Sequence, residues 1–155
     1  MIIEDGIEHM PSIAHFTGMR GVYLVAAELA KLRLIASPTS RSAIGADILV
    51  TDQRCSRAWS VQVKTNAQVH TFWLLNSKTQ EMVSPTHIYV LVNIINSKKG
   101  ETVEYFIVPS KVVAELLVHD KSKANTSEWF TIYRNKIQDY RDKWNIFTEQ
   151  IENVI

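Results

Sequence analysis

Gly45-Ala46-Asp47-Ile48-Leu49-Val50, followed twelve residues beyond Val50 by Gln62-Val63-Lys64 inside the strand-like run Trp59 to Thr65, decides how this chain folds. A strand has a side-chain period of two. Gln62 and Lys64 therefore share one face, while Val61 and Val63 point to the other and can enter a core. If the Asp47 strand pairs antiparallel with this one, an acid, an amide and an amine converge at one end of a hairpin. A carboxylate with an amide oxygen suits a hard divalent cation such as Mg²⁺, which takes oxygen ligands and keeps waters for substrate phosphates. The lysine would then offset charge developing on phosphorus during phosphodiester hydrolysis. Taken alone, Gln62 and Lys64 also fit the solvated face of a half-exposed strand, and Asp47 an ordinary strand start.

Working outward, Ser12 and Thr17 are candidate N-caps of an amphipathic helix expected to reach about Leu34 and to stop at Ser37-Pro38-Thr39-Ser40. Val22, Val25, Leu29 and Leu32 form its apolar stripe. Ala43 to Thr51 and Arg57 to Thr65 read as a hairpin around Asp52-Gln53-Arg54-Cys55-Ser56. His87 to Ile95 and Thr102 to Val108 form a second β-branched pair around Asn96 to Gly100. Pro109 opens a helix through Lys111 to Val118. Lys121 to Ser127 reads as a polar linker, and Glu128 to Ile132 is a candidate last strand reached by a crossover through that helix. Tyr133, Ile137, Tyr140, Trp144, Phe147, Ile151 and Val154 recur every three or four residues and predict a C-terminal amphipathic helix over 133–155. Met1 to Pro11 has no periodicity and is expected to be an irregular arm. The expected class is α/β, with a central mixed sheet flanked by helices in one domain spanning 1–155.

A helix, then an acid opening a hydrophobic strand, then Gln-x-Lys in the next strand resembles the PD-(D/E)xK, restriction-endonuclease-like nuclease superfamily, in its small bacterial Holliday-junction-resolvase-like branch. Gly18-Met19-Arg20-Gly21-Val22-Tyr23-Leu24-Val25-Ala26-Ala27-Glu28-Leu29 is similar to the first helix of such proteins, and Ile88 to Asn93 with Tyr105 to Val113 is similar to their later strand and strand-to-helix junction. The resemblance covers roughly residues 17 to 118. It implies a restriction-endonuclease-like core, with Asp47 as the metal-binding acid, Gln62 in place of the usual Glu or Asp, and Lys64 as the catalytic lysine. The Gln variant occurs in active branches. The Val63 carbonyl would complete the ligand set with Asp47 and Gln62 for one weakly bound Mg²⁺ or Mn²⁺, and Ser40, Arg41 and Ser42 are candidate phosphate contacts. One position departs from the pattern: Val22 stands where the first-helix glutamate is expected. Glu28 lies about 120° further round the helix and cannot simply replace it. Glu28 reads instead as a partner of Lys31, while Glu4, Glu8 and Glu28 are the acids whose reach toward the site the sequence leaves open.

Composition bounds these readings. Seventeen basic against sixteen acidic residues leave a formal charge of +1, so DNA contact must use a local patch rather than a global field. The single Cys55 excludes an intramolecular disulfide and a multi-cysteine zinc site. His9, His15, His70, His87 and His119 lack compact ligand spacing. Ser40 and Ser42 lack a nucleophile elbow. The charges around Tyr133, Tyr140 and Trp144 read as the solvent side of a packed helix rather than a binding strip. No leader or bilayer-length apolar run is evident, so a cytoplasmic protein without membrane association is expected. The reading is a metal-dependent DNA endonuclease-like protein, weakened or silenced by loss of the helix acid. Nucleases of this kind often act as homodimers. The alternative is a catalytically silent nuclease fold serving as a nucleic-acid adaptor or partner-neutralising module.

Overall fold

The computed structural model describes residues 12–40, 44–68, 70–121 and 128–149. The expected N-terminal arm lies outside them. The first helix, α1, spans Ile13–Lys31 and buries Gly21, Val25 and Leu29 at four-residue spacing. Ser12 occupies the N-cap position without a side-chain capping bond, and Thr17 lies inside the helix. The helix ends earlier than expected, in a Schellman arrangement: Leu34 N–H bonds to Leu29 O, Arg33 N–H bonds to Ala30 O, and Arg33 takes a left-handed φ of 61°. Ser37-Pro38 is consequently not a helix stop but part of a strand.

That strand is β1, Ile35–Pro38, followed by β2, Ile48–Thr51, and β3, Ala58–Asn66. They pair as an antiparallel meander, with Ile48 opposite Val61 and Val50 opposite Trp59. The expected hairpin is present. After β4, Phe72–Leu75, and a 3-10 turn at Ser77–Gln80, the chain returns as β5, His87–Ser97, parallel to β3. A tight turn through Gly100, at φ 114°, leads into β6, Gly100–Pro109, antiparallel to β5. The central sheet thus has the order β1-β2-β3-β5-β6 and is mixed. His87 to Ile94 of β5 is buried without interruption, as a strand covered on both faces requires. On one face, Val61, Val63, Ile88, Val90 and Val92 pack with Val25 and Leu29 of α1. The fold class is therefore α/β with helices against a mixed sheet.

The opposite face departs from expectation. Tyr89, Leu91, Phe106 and Val108 pack there with Val113 of α2, Ser110–Leu116, but also with Trp73 of β4 and Ile132 of β8, Glu128–Tyr133. β4 and β8 join β7, Val118–Lys121, in a second, antiparallel sheet of order β4-β8-β7. The candidate last strand exists, but it extends this second sheet and not the central one.

The C-terminal helix expected over 133–155 is not formed in the described residues. Tyr133 closes β8, and Arg134–Lys136, Gln138–Tyr140 and Trp144–Phe147 are separate 3-10 turns. Of the expected apolar stripe, Ile137 and Phe147 are fully buried and Tyr133, Tyr140 and Trp144 partly so, while Ile151 and Val154 lie outside the described residues. The buried positions serve two different cores, however. Ile137 and Tyr140 pack on the β4–β8 side of the central sheet, whereas Trp144 and Phe147 pack on the α1 side. One straight helix offers one stripe to one surface and cannot do both. The chain instead folds round the edge of β6, where Arg141 bridges Phe106, Asp142 N–H bonds to Tyr105 O, and Asp142 turns at a left-handed φ of 52°.

Candidate functional site

The end of the β2–β3 hairpin opens into a cleft of about 330 Å³ walled by α1. Asp47, Gln62, Val63 and Lys64 line it, together with Thr39, Thr65, Gly18, Val22 and Tyr23. The acid, amide and amine singled out in the sequence are thus brought together. Ser40 is exposed and does not line the cleft, and Arg41 and Ser42 lie outside the described residues.

Backbone geometry explains how Asp47 is aimed. Its N–H bonds to Val61 O at 2.8 Å, although Val61 is the register partner of Ile48. Two consecutive residues therefore face one residue of β3, which is the pattern of a β-bulge, a device that re-aims a side chain at a strand end. On the other side, Thr39 N–H donates to Asp47 O at 2.9 Å and the Thr39 hydroxyl donates to Ala46 O at 2.6 Å. Thr39 was missed by sequence reasoning because Ser37-Pro38-Thr39-Ser40 carries helix-stop signals.

The Asp47 carboxylate is held through one oxygen. Oδ2 accepts from the Gln62 amide nitrogen at 2.6 Å and from Val63 N–H at 2.7 Å. Both donors are uncharged, and no described residue donates to Oδ1. Gln62 thus turns its nitrogen, not its oxygen, toward the acid.

Helix α1 approaches this end of β3 at Gly21. A β-carbon there would lie 1.7 Å from the Thr65 hydroxyl oxygen, so only glycine lets the helix sit this close. Gly18, three residues before this contact, and Val22, one residue after it, line the cleft without a polar side chain. Val22 is partly buried and packs on the α1-side core. Glu28 does not line the cleft; it pairs with Lys31 at 2.7 Å, as the sequence suggested. Burial, with the charges of Glu28 and Asp142, pushes the Tyr105 hydroxyl up to about 12. Glu4 and Glu8 lie outside the described residues. Among the described residues, no group of three or more His, Cys, Asp or Glu side chains is placed to hold a metal ion, and no helix is long and apolar enough to cross a membrane.

Lys64 and Thr65 also line a second cleft of about 320 Å³, shared with Asn66, His70, Phe72 and Trp73. Compared with protein-family models and with curated protein sequences, the chain shows no match. Among solved structures, Hjc, a Holliday junction resolvase from the archaeal hyperthermophile Archaeoglobus fulgidus, is similar over 74% of this chain and 89% of its own, at 12% sequence identity and a TM-score of 0.45.

Proposed function

We propose that this chain is a weak, metal-dependent DNA endonuclease that hydrolyses phosphodiester bonds. The observation that carries the reading is the meeting of Asp47, Gln62 and Lys64 in one cleft, with one carboxylate oxygen of Asp47 directed to no described protein donor. The resemblance of the Asp47 to Lys64 stretch to PD-(D/E)xK nucleases supports the same assignment.

The donor set fits a hard cation, but thinly. Asp47 Oδ1 would be its one anionic ligand, with the Gln62 amide oxygen and the Val63 carbonyl as neutral ones. When bound, Mg²⁺ or Mn²⁺ supplies a Lewis acid and lowers the pKa of a coordinated water. The bulge and the Thr39 clamp hold the Asp47 backbone, so the carboxylate needs little reorganisation to serve as ligand. Gln62 either offers its oxygen or holds a water with its amide. Lys64 places an ammonium beside the scissile phosphate and offsets the charge that grows on its oxygens. With Val22 in the helix wall, the described residues bring no carboxylate besides Asp47 to the cleft, and weak metal affinity is expected.

The same Val22 favours a second reading, a catalytically silent nuclease fold kept as a nucleic-acid adaptor or protein-partner module. One experiment separates the two: cleavage of plasmid and branched DNA in Mg²⁺ or Mn²⁺ by wild type, Asp47→Ala and Lys64→Ala. The endonuclease reading expects cleavage by wild type that both substitutions reduce about a hundredfold or more. Equal behaviour of all three proteins would sink it.

A further inference from the structure

The outer face of the second sheet continues the candidate cleft. Along β4, Trp73 is turned inward and is 1% exposed, while Phe72 and Leu74 point outward at 37% and 46%. Phe72 is the register partner of Tyr133 on β8, and their ring centroids lie 6.3 Å apart. The His70 ring also lies beside Phe72, at 6.1 Å. Three rings, His70, Phe72 and Tyr133, therefore cluster at the start of β4 and the end of β8, with Phe72 in contact range of both others. The series begins where the catalytic cleft ends, because the second cleft runs from Lys64 through Asn66 to His70 and Phe72.

Lys64 lines both clefts and is the positive patch where they meet. In a chain of almost balanced charge, a positive group at this point is what a polyanion needs locally. Aromatic rings presented beside such a patch are the combination that binds unpaired nucleotides, since every base has a π-face and stacks without regard to sequence. A paired duplex has no free base faces to offer.

We propose that the His70–Phe72–Tyr133 series is a stacking surface for unpaired nucleotides, so that the substrate class is DNA with a single-stranded stretch adjoining the phosphate held at Lys64. This rests on the reading of the Asp47–Lys64 cleft as a phosphodiester site. Asn66 braces the path: its amide donates to Phe72 O at 3.1 Å and to the Asn93 side chain at 3.0 Å, tying the start of β4 to the central sheet.

The test is binding in the presence of EDTA, where no turnover occurs, read by fluorescence anisotropy on a labelled blunt duplex and on the same duplex with a short unpaired tail. Wild type is expected to bind the tailed DNA more tightly, about 5- to 150-fold for each base stacked. Phe72→Leu keeps an apolar side chain but no ring and is expected to lose that preference; Phe72→Tyr is expected to keep it. Equal binding of tailed and blunt DNA by wild type would overturn the proposal. So would a tail preference unchanged in Phe72→Leu, or a dimer in sedimentation that this substitution splits without altering the preference. Cleavage in Mn²⁺ is measured separately. Asp47-dependent cleavage without tail preference leaves the catalytic reading standing and removes this one, whereas tail preference without any cleavage supports this surface and removes the catalytic reading.

Discussion

Two carboxylates sit on the central sheet in opposite circumstances. Glu104 of β6 is 7% exposed and saturated: Arg134 reaches it with two nitrogens at 2.7 and 3.2 Å, Arg141 approaches to 3.3 Å, and Asn93 donates at 3.4 Å. Burial alone would push this carboxyl up, but the hydrogen bonds from Arg134 and Asn93, with the charges of Arg134 and Arg141, outweigh it and hold it below the ordinary range. Among the described residues, Asp47 meets two neutral donors, both on one oxygen. A carboxylate whose charge is already answered by guanidinium groups ties strands together and has nothing left for a ligand. One held in place by neutral groups keeps its charge available. The difference marks Glu104 as a structural acid, and it is consistent with the chemical role proposed for Asp47.

The widest separation is expected from removing the charge of each acid in turn. Asp47→Asn is expected to lower metal-dependent cleavage about a thousandfold while shifting unfolding free energy by less than about 1 kcal/mol in urea titration. Gly21→Ala forces α1 away from Thr65 and so moves the cleft wall; a stability loss of about 2–3 kcal/mol is expected, exceeding the gain of roughly 1 kcal/mol in helix propensity. Glu104→Gln is expected to cost about 2 kcal/mol, since the partly exposed Arg134 and Arg141 lose their counter-charge, with cleavage within about threefold of wild type. A larger catalytic than structural effect at Glu104 would break the contrast. Val22→Glu adds a second acid beside Asp47 and is expected to tighten Mn²⁺ binding about tenfold by calorimetry, roughly 1.4 kcal/mol.

The smallest effects follow pH. Because its native pKa is lowered, Glu104 contributes stability that is complete above the ordinary carboxylate value and is lost as pH falls through the lowered one. Glu104→Gln is expected to flatten the acid limb of a denaturation series. His87 behaves differently. It is 4% exposed, its Nδ1 lies 2.7 Å from the Ser60 hydroxyl, and burial lowers its pKa below 6.5. The native state favours the neutral ring, so stability is full above about pH 6.5 and declines below it. His87→Gln is expected to remove this decline, as read from melting temperatures at about pH 7.5 and 5.5.

The hairpin was legible because strand alternation is local: Val61 and Val63 are buried and Gln62 and Lys64 are not, as their spacing required. The bulge at Asp47 was not legible, since a one-residue shift of hydrogen bonds leaves no mark in residue type. Strand β1 was hidden by Pro38, which signals both a helix stop and a sheet edge. Phe72 to Leu75 is four apolar residues in a row, so no alternation marked it as a strand. The segment after Tyr133 misled for a different reason. Its apolar spacing matched one helical stripe, and only the tertiary structure assigns those residues to two cores.

That last segment has a consequence for how the chain matures. Phe147 reaches Trp59 at a ring-centroid distance of 5.7 Å, and Trp144 reaches Tyr105 at 5.3 Å, while Ile137 closes the other side. Neither layer is complete until these residues arrive, and the β6 edge gains its one bridge among the described residues, at Phe106, from Arg141. During synthesis, packing of the sheet is therefore expected to be completed only once residue 147 has left the ribosome. A pulse of protease on stalled nascent chains is expected to cut those ending before this point and to spare those in which it has emerged.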